Sequence, residues 1–92
     1  MLFIGLLKGT VGTPKERIAR RVQWQYPEGI QLVAEYWPQT SDPVVVTIFE
    51  TENVAPIAAV VTEWSDVFDI SVFPAITAEE GLEMARQMME NE

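Results

Sequence analysis

The sequence predicts an α+β domain of the ferredoxin-like kind, with the element order βαββαβ and one further helix at the carboxyl end. Four short segments are rich in apolar and β-branched residues, and two segments between them have apolar residues at helical spacing. The second and third strand segments are separated only by a short polar turn. The chain has 92 residues, so we expect a single domain over residues 1–92.

The first strand and the first helix have clear limits in the sequence. Leu2–Lys8 is apolar on both faces, which is typical of a central strand. The first helix begins after Thr13, because Thr13 and Glu16 have the spacing of a capping box and Pro14 suits the first helical position. Pro27–Gly29 ends this segment.

A predicted hairpin follows the first helix. Ile30–Trp37 alternates between the two faces of a strand, and Pro38–Pro43 forms a polar turn. Val44–Glu50 is rich in β-branched residues and is predicted to be the third strand. We therefore expect the second and third strands to pair with each other.

The second helix and the fourth strand complete the predicted sheet. Asn53 is placed to cap this helix, whose apolar stripe contains Val54, Ile57, Val61 and Trp64. Val67–Phe73 alternates as the fourth strand, and Pro74 is predicted to end it.

A third helix is predicted at the carboxyl end. Thr77 and Glu80 form a second capping box at its start. Apolar residues then recur at helical spacing, namely Ala78, Leu82, Ala85 and Met89. We expect this helix to pack on the domain through Leu82, Ala85 and Met89.

The two crossover helices of this fold cover one side of the sheet and leave an open face. Strand alternation assigns to that face Gln31, Val33, Glu35 and Trp37; Val45, Thr47, Phe49 and Thr51; and Val67, Asp69, Ser71 and Phe73. Its apolar members would form a patch of several hundred Å², which is large for a soluble monomer. We therefore expect a homodimer. The alternative is a monomer whose third helix lies across this face.

The composition restricts the available chemistry. The chain contains no Cys and no His, so it has no thiol nucleophile, no disulfide and neither the commonest metal ligand nor the usual general base. We predict no cofactor and no metal site. An enzymatic role is left open, and a non-enzymatic role is favoured.

Charge and hydropathy restrict the partners. The formal net charge is −8, and five of the six basic residues fall within the first 21 positions. Repulsion between such a chain and phosphates, acting over a Debye length of about 8 Å, argues against a nucleic-acid partner. No apolar run approaches the roughly 20 residues that cross a bilayer, and no signal peptide is recognisable. We expect a soluble, cytoplasmic protein without a membrane partner.

Four residues of the predicted open face are candidates for a ligand site: Glu35, Trp37, Phe49 and Asp69. Burial would raise the pKa of either carboxyl group and make it a possible general acid or base. Glu35 with Trp37 and Phe49 could hold a small aromatic or cationic ligand. With a raised pKa, Glu35→Gln would stabilise the fold. In the alternative interpretation, both carboxylates lie on edge strands and only pair with neighbours or water.

Three arginines of the first helix, Arg17, Arg20 and Arg21, share one side of it by their spacing. They could hold an anion. The alternatives are a solvated helix face or an ion pair between subunits.

Several segments together resemble one family: Met1–Ile4, Trp37, Phe49–Asn53, Glu63–Asp66 and Pro74–Ile76. The family consists of short prokaryotic proteins known only as a domain of unknown function, and it is similar to the dimeric α/β-barrel group. The resemblance implies a ferredoxin-like fold and a dimer, but no established activity. The wider group contains cofactor-free monooxygenases, isomerases and haem proteins, so the fold does not select a reaction.

We therefore predict a small dimeric domain that binds a small molecule or a protein partner, without resolved catalysis. One alternative is a cofactor-free barrel enzyme that acts on a small apolar or aromatic substrate, with Glu35 or Asp69 as its base. A second alternative is a structural or regulatory oligomerisation module.

Overall fold

The computed structural model describes residues 1–91 and contains a four-stranded sheet and three helices. In chain order these are β1 (Leu2–Gly9), α1 (Pro14–Val22), β2 (Gln31–Tyr36), β3 (Val45–Glu50), α2 (Ala55–Trp64), β4 (Phe68–Ala75) and α3 (Ala78–Glu90). The strands lie in the order β2-β3-β1-β4, and every neighbouring pair is antiparallel. The predicted ferredoxin-like βαββαβ fold with a carboxyl-terminal helix is confirmed. None of the helices within residues 1–91 is long and apolar enough to cross a bilayer.

Both predicted capping boxes are present. Thr13 Oγ1 accepts a hydrogen bond from the Glu16 N–H at 3.2 Å, and the Glu16 carboxylate accepts one from the Thr13 N–H at 3.2 Å. Thr77 and Glu80 repeat this arrangement before α3. Each box pairs N–H groups that the start of a helix leaves without intrahelical partners. The starts of α1 and α3 therefore coincide with their predicted positions.

Strand β4 is longer than predicted. It continues to Ala75 and includes Pro74, which lies opposite Phe3 of β1. Proline has no N–H to donate to a neighbouring strand, but β4 is an edge strand whose only neighbour is β1. The prediction that Pro74 ends the strand is therefore wrong.

A β-bulge interrupts β2. Leu32 lies opposite Phe49 and Ala34 lies opposite the adjacent Ile48, so Val33 is an extra residue without a partner in β3. The bulge reverses the alternation of faces along β2. Leu32 and Glu35 consequently share a face although they are three residues apart.

The sheet's helix side carries different residues from those expected. Residues directly opposite one another on antiparallel strands share a face, and Glu35, Thr47, Gly5 and Val72 form such a row. Glu35 forms an ion pair with Arg21 of α1, so this row faces the helices. The prediction that the following residues lie on the open face is therefore wrong: Glu35, Trp37, Val45, Thr47 and Phe49.

The polarity of this row explains the error. Alternation groups residues by face, but it does not show which face is covered by helices. Glu35 and Thr47 favour a solvent-facing position in the sequence, whereas their hydrogen-bond partner Tyr26 lies on the helix side.

The open face of the sheet is apolar at its centre and polar at its ends, where Lys8, Gln31 and Glu50 lie. It carries Leu2, Ile4, Leu6, Ala34, Tyr36, Val46, Ile48 and Phe73. Tyr36 and Phe73 remain 61% and 40% exposed. Asp69 and Ser71 lie on the same side, near the β4 edge.

Helix α3 buries none of its residues. Leu82 is 58% exposed and Met89 is 72% exposed, and Ala85 is exposed as well. The described protomer measures 54 × 29 × 17 Å, and its radius of gyration is 15.9 Å, against about 12 Å for a compact chain of this length. The prediction that α3 packs on its own domain is therefore wrong, because the helix has no surface of the protomer beneath its apolar stripe.

The packed core is small and aromatic. Leu7, Trp64 and Phe68 are buried together, and the ring of Trp24 meets that of Trp64 edge-on with 5.5 Å between centroids. Trp64 is the last residue of α2, and its side chain packs this helix against the sheet. This core occupies only part of the space between the two layers.

Candidate ligand-binding site

A cavity of about 450 Å³ occupies the rest of the space between the sheet and helices α1 and α2. All four strands and both helices contribute to its wall, which is mainly apolar and includes Leu7, Ile18, Trp24, Val45, Val60 and Ile70. The cavity is partly open to solvent, and two of its lining residues, Ile18 and Trp37, are each 44% exposed. A cavity of this volume falls within the range of small-molecule pockets, roughly 300–1,000 Å³.

The cavity arises from the sequence of β1. The helix side of this central strand carries Phe3, Gly5, Leu7 and Gly9, so alternate positions have no side chain. Gly5 lies on the cavity wall, where an added Cβ would stand 2.8 Å from Thr47 Cγ2. The strand at the centre of the sheet therefore cannot fill the space beneath the helices.

Polar side chains converge on Glu35 at the β2 side of the cavity. Arg21 donates two hydrogen bonds to the Glu35 carboxylate, from Nε to Oε2 at 3.2 Å and from Nη2 to Oε1 at 3.0 Å. The Tyr26 hydroxyl donates to Oε1 at 2.6 Å, and the Trp37 indole N–H donates to Oε2 at 2.8 Å. The Glu35 side chain is only 11% exposed. Four donors therefore surround one carboxylate.

Local structure places these donors. Arg21 lies in the last turn of α1, and its Nη1 also donates to the Trp24 carbonyl at 3.1 Å. Tyr26 follows α1, and its hydroxyl lies 2.9 Å from Thr47 Oγ1 of β3. The cluster thus joins α1, β2 and β3.

The hydrogen bonds determine the charge of the cluster. Burial by itself would raise the pKa of Glu35, but the hydrogen bonds from Arg21, Tyr26 and Trp37 and the Arg21 charge outweigh it and hold this pKa below its ordinary value. The hydrogen bond to Glu35 raises the pKa of Arg21 despite partial burial. Burial, with the hydrogen bond to Glu35, raises the pKa of Tyr26 to about 12. Near neutral pH the cluster therefore holds an ionised Glu35, a charged Arg21 and a neutral Tyr26.

This state corrects the expectation of a raised pKa at Glu35. A general base needs a free lone pair toward its substrate and a pKa near the working pH. Glu35 has a lowered pKa, and its two oxygens already accept four hydrogen bonds. The carboxylate is suited to organising its donors rather than to accepting a proton.

The structure brings three of the four candidate residues together. Glu35, Trp37 and Phe49 all line the cavity. Asp69 lies on the opposite face of the sheet, across from Lys8. Its neighbours Phe68 and Ile70 line the cavity instead, because successive residues of a strand point to opposite faces.

Sequence reasoning missed Arg21, Tyr26 and Thr47 as members of the Glu35 cluster. The sequence does show Arg21 as one of three arginines on α1. A carboxylate within an apolar strand needs a basic partner, and this need was the signal that could have pointed to Arg21. Of the other two arginines, Arg20 donates to both oxygens of Asp66 at 2.9–3.0 Å, outside the cavity. Within residues 1–91 no group of three or more acidic side chains is placed to hold a metal ion.

Comparison with known proteins identifies the family. A model of the family described as Domain of unknown function (DUF3303) matches residues 8–89. No curated protein and no solved structure matches the chain. The match confirms the resemblance to a domain of unknown function, whereas a relation to dimeric α/β-barrel proteins stays a prediction. Because the matched segment spans most of its length, the chain belongs to the family described as Domain of unknown function (DUF3303).

Proposed function

We propose that this domain binds a small, largely apolar molecule in the cavity between its sheet and helices. The observation that carries the proposal is the cavity itself, about 450 Å³ with a mainly apolar wall and one polar cluster. Such a wall supplies binding energy through burial of apolar surface, and a few fixed polar groups orient the ligand. Glu35 and its donors are connected to three elements, so the polar side of the cavity is formed before a ligand arrives.

Trp24 and Trp37 support an aromatic or alicyclic ligand. Both line the cavity, and flat apolar rings pack on flat apolar molecules over a large contact area. Tyr26 and Thr47 supply hydroxyl groups beside them. A ligand of this kind would bury its rings against the indoles, and any neutral polar group on those rings could reach the hydroxyls.

Isothermal titration with the neutral aromatic probes 2-naphthol and 2-naphthamide tests the proposal. Val72 lies beside Gly5 on the cavity wall, so Val72→Phe fills the space that the glycine leaves. We expect the wild type to bind at least one probe and Val72→Phe to lose that binding. Val33→Phe adds the same volume at a 58% exposed position outside the cavity and is the matched control. Equal binding by Val72→Phe would contradict the proposal, and so would absence of wild-type binding both to these probes and to their charged analogue 2-naphthoate.

We also propose that the domain acts as a homodimer through the open face of its sheet. The described protomer exposes 6609 Å². A compact monomer of 10.4 kDa is expected to expose about 5,400 Å². The excess of about 1,200 Å² exceeds the roughly 800 Å² that each partner buries in a standard interface. The apolar open face and the apolar stripe of α3 contribute to this excess surface, and a second copy of the chain would cover them.

Light scattering tests the dimer. We expect a mass of twice 10.4 kDa at micromolar concentration. Ile48 lies on β3 in the interior of the sheet, so Ile48→Asp places a charge in the middle of the open face and should yield the monomer. Val33→Asp, at an exposed position on the bulge, should leave the mass unchanged. A wild-type mass of about 10.4 kDa would contradict the dimer.

A further inference from the structure

Arg17 is the member of the arginine group for which residues 1–91 provide no carboxylate partner. Arg20 pairs with Asp66 and Glu63, and Arg21 pairs with Glu35. Arg17 lines the cavity, and its Nη1 donates to the carbonyl oxygens of Val11 and Gly12 at 3.0 and 2.9 Å. The Arg17 side chain has no other hydrogen bond and no ion pair in the described part of the chain.

Residues of the sheet fix the position of the Arg17 guanidinium. It lies against Gly9, where an added Cβ would stand 2.7 Å from Nη2 and 2.9 Å from Cζ. Its Cζ lies 5.6 Å from the centroid of the Phe68 ring, within the range of a cation–π contact. The guanidinium fits against Gly9 because this residue has no side chain. The two loop carbonyls and the Phe68 ring then hold the cation at the β4 side of the cavity.

A donor that residues 1–91 leave without a partner belongs to a second residue that packs on Phe68. Trp64 is 3% exposed, lines the cavity and packs on the same Phe68 ring at 5.6 Å between centroids. Its indole N–H has no acceptor in residues 1–91. Buried donors are nearly always paired, and each exception calls for an explanation. An acceptor carried by a ligand would supply the missing partner.

The charges on the wall point to an anion. Glu35 and Arg21 neutralise each other, which leaves Arg17 as an unbalanced positive charge in a chain whose net charge is −8. A cationic ligand would meet a carboxylate whose oxygens are already occupied by four donors. A polyanion such as a nucleotide would meet a single unbalanced cation in an acidic protein, so a single negative charge fits best.

We infer that the ligand is a small monocarboxylate with an aromatic or alicyclic body. Its carboxylate binds the free N–H groups of Arg17 and accepts a hydrogen bond from the Trp64 indole N–H, while its rings occupy the apolar cavity. This inference rests on the proposed function, because it names the class of molecule that the cavity binds. Guanidinium groups suit carboxylates because their N–H groups match the two oxygens.

Isothermal titration with 2-naphthoate and its neutral isostere 2-naphthamide tests the inference. We expect 2-naphthoate to bind roughly 10- to 100-fold more tightly, since hydrogen bonds to charged groups contribute more than neutral ones. Arg17→Gln should abolish this preference. Lys15→Gln removes one positive charge from the same helix at an exposed position outside the cavity, so it should retain the preference and serve as the matched control.

Two further variants keep the test decisive if Arg17→Gln fails to fold. Gly9→Ala retains every charge but displaces the Arg17 guanidinium, so it should weaken 2-naphthoate binding and leave 2-naphthamide binding unchanged. Trp64→Phe removes the N–H and keeps an aromatic ring, and should weaken 2-naphthoate binding about 2- to 10-fold.

The outcomes separate this inference from the proposed function. Equal affinity for the two probes, or a preference that survives both Arg17→Gln and Gly9→Ala, would overturn the monocarboxylate while leaving a cavity that binds apolar molecules. Binding of neither 2-naphthoate nor the neutral probes would overturn both.

Discussion

Replacing Glu35 with glutamine tests the cluster that defines the polar side of the cavity. Glutamine keeps one acceptor oxygen but directs an NH₂ group at donors, and it removes the charge opposite Arg21. Breaking a fully buried ion pair costs about 3–5 kcal/mol, whereas an exposed pair contributes about 0–1 kcal/mol. The side chains of Glu35 and Arg21 are 11% and 30% exposed and lie between these limits. We expect Glu35→Gln to lower the free energy of unfolding by about 2–4 kcal/mol.

Urea unfolding measures this loss. For a small domain the free energy of unfolding falls by about 1–3 kcal/mol per molar urea, so the midpoint should decrease by roughly 1–3 M. Glu83→Gln is the matched control, because Glu83 pairs with Arg86 on exposed α3 and should change stability by less than about 0.5 kcal/mol. An unchanged or raised midpoint for Glu35→Gln would refute this reasoning.

The pH dependence provides a second measurement. The folded-state pKa of Glu35 is lowered, so the stabilising contribution of its ionised form is present above the unfolded pKa of about 4.3 and is lost as the pH falls through the folded value. The difference in stability between wild type and Glu35→Gln should therefore be full at pH 7 and narrow below about pH 4. A difference that stays constant down to pH 3 would show that the charge of Glu35 is not responsible.

Three further changes have expected outcomes. Tyr26 has a folded pKa of about 12 against about 10 in the unfolded chain, so the stability that its neutral hydroxyl contributes is present below pH 10 and is lost as the pH rises toward 12. Melting curves of Tyr26→Phe should therefore fall less between pH 10 and pH 12 than those of the wild type. Trp64→Ala should lower the free energy of urea unfolding by about 3–5 kcal/mol, and a loss below 1 kcal/mol would contradict its place in the core. Truncation after Ala75 removes α3, which buries no residue, so at concentrations where the chain is monomeric the urea midpoint should hardly change; a large decrease would indicate packing of α3 on its own domain.

Local signals in the sequence predicted the fold well. The features that the sequence did not predict depend on contacts between residues far apart in the chain. The capping boxes at Thr13 and Thr77 involve residues only three positions apart, so the beginnings of α1 and α3 could be read directly. Glu35 is different, because two of its three partner residues, Arg21 and Tyr26, lie 14 and 9 positions earlier in the chain. Alternation along β2 carries no information about those partners, and it therefore assigned Glu35 to the uncovered side.

Local signals also predicted helix α3, but they did not predict where it packs. Its capping box and its apolar stripe predicted the helix correctly, because both depend on neighbouring residues. Where the stripe packs depends on a surface elsewhere, and Leu82 and Met89 find none within the described protomer. The cavity could not be predicted either, although the glycines of β1 at alternate positions were visible as a cause.

The bulge at Val33 has a consequence for sequence alignment within this family. Leu32 and Glu35 lie opposite Phe49 and Thr47, so two residues of β2 span the single position of Ile48, and loss of either Val33 or Ala34 would restore regular pairing without moving Glu35. We expect related chains to tolerate a one-residue gap between Leu32 and Glu35. An alignment that places this gap after Glu35 instead would transfer the carboxylate to the wrong side of the sheet, and with it the whole inferred pocket.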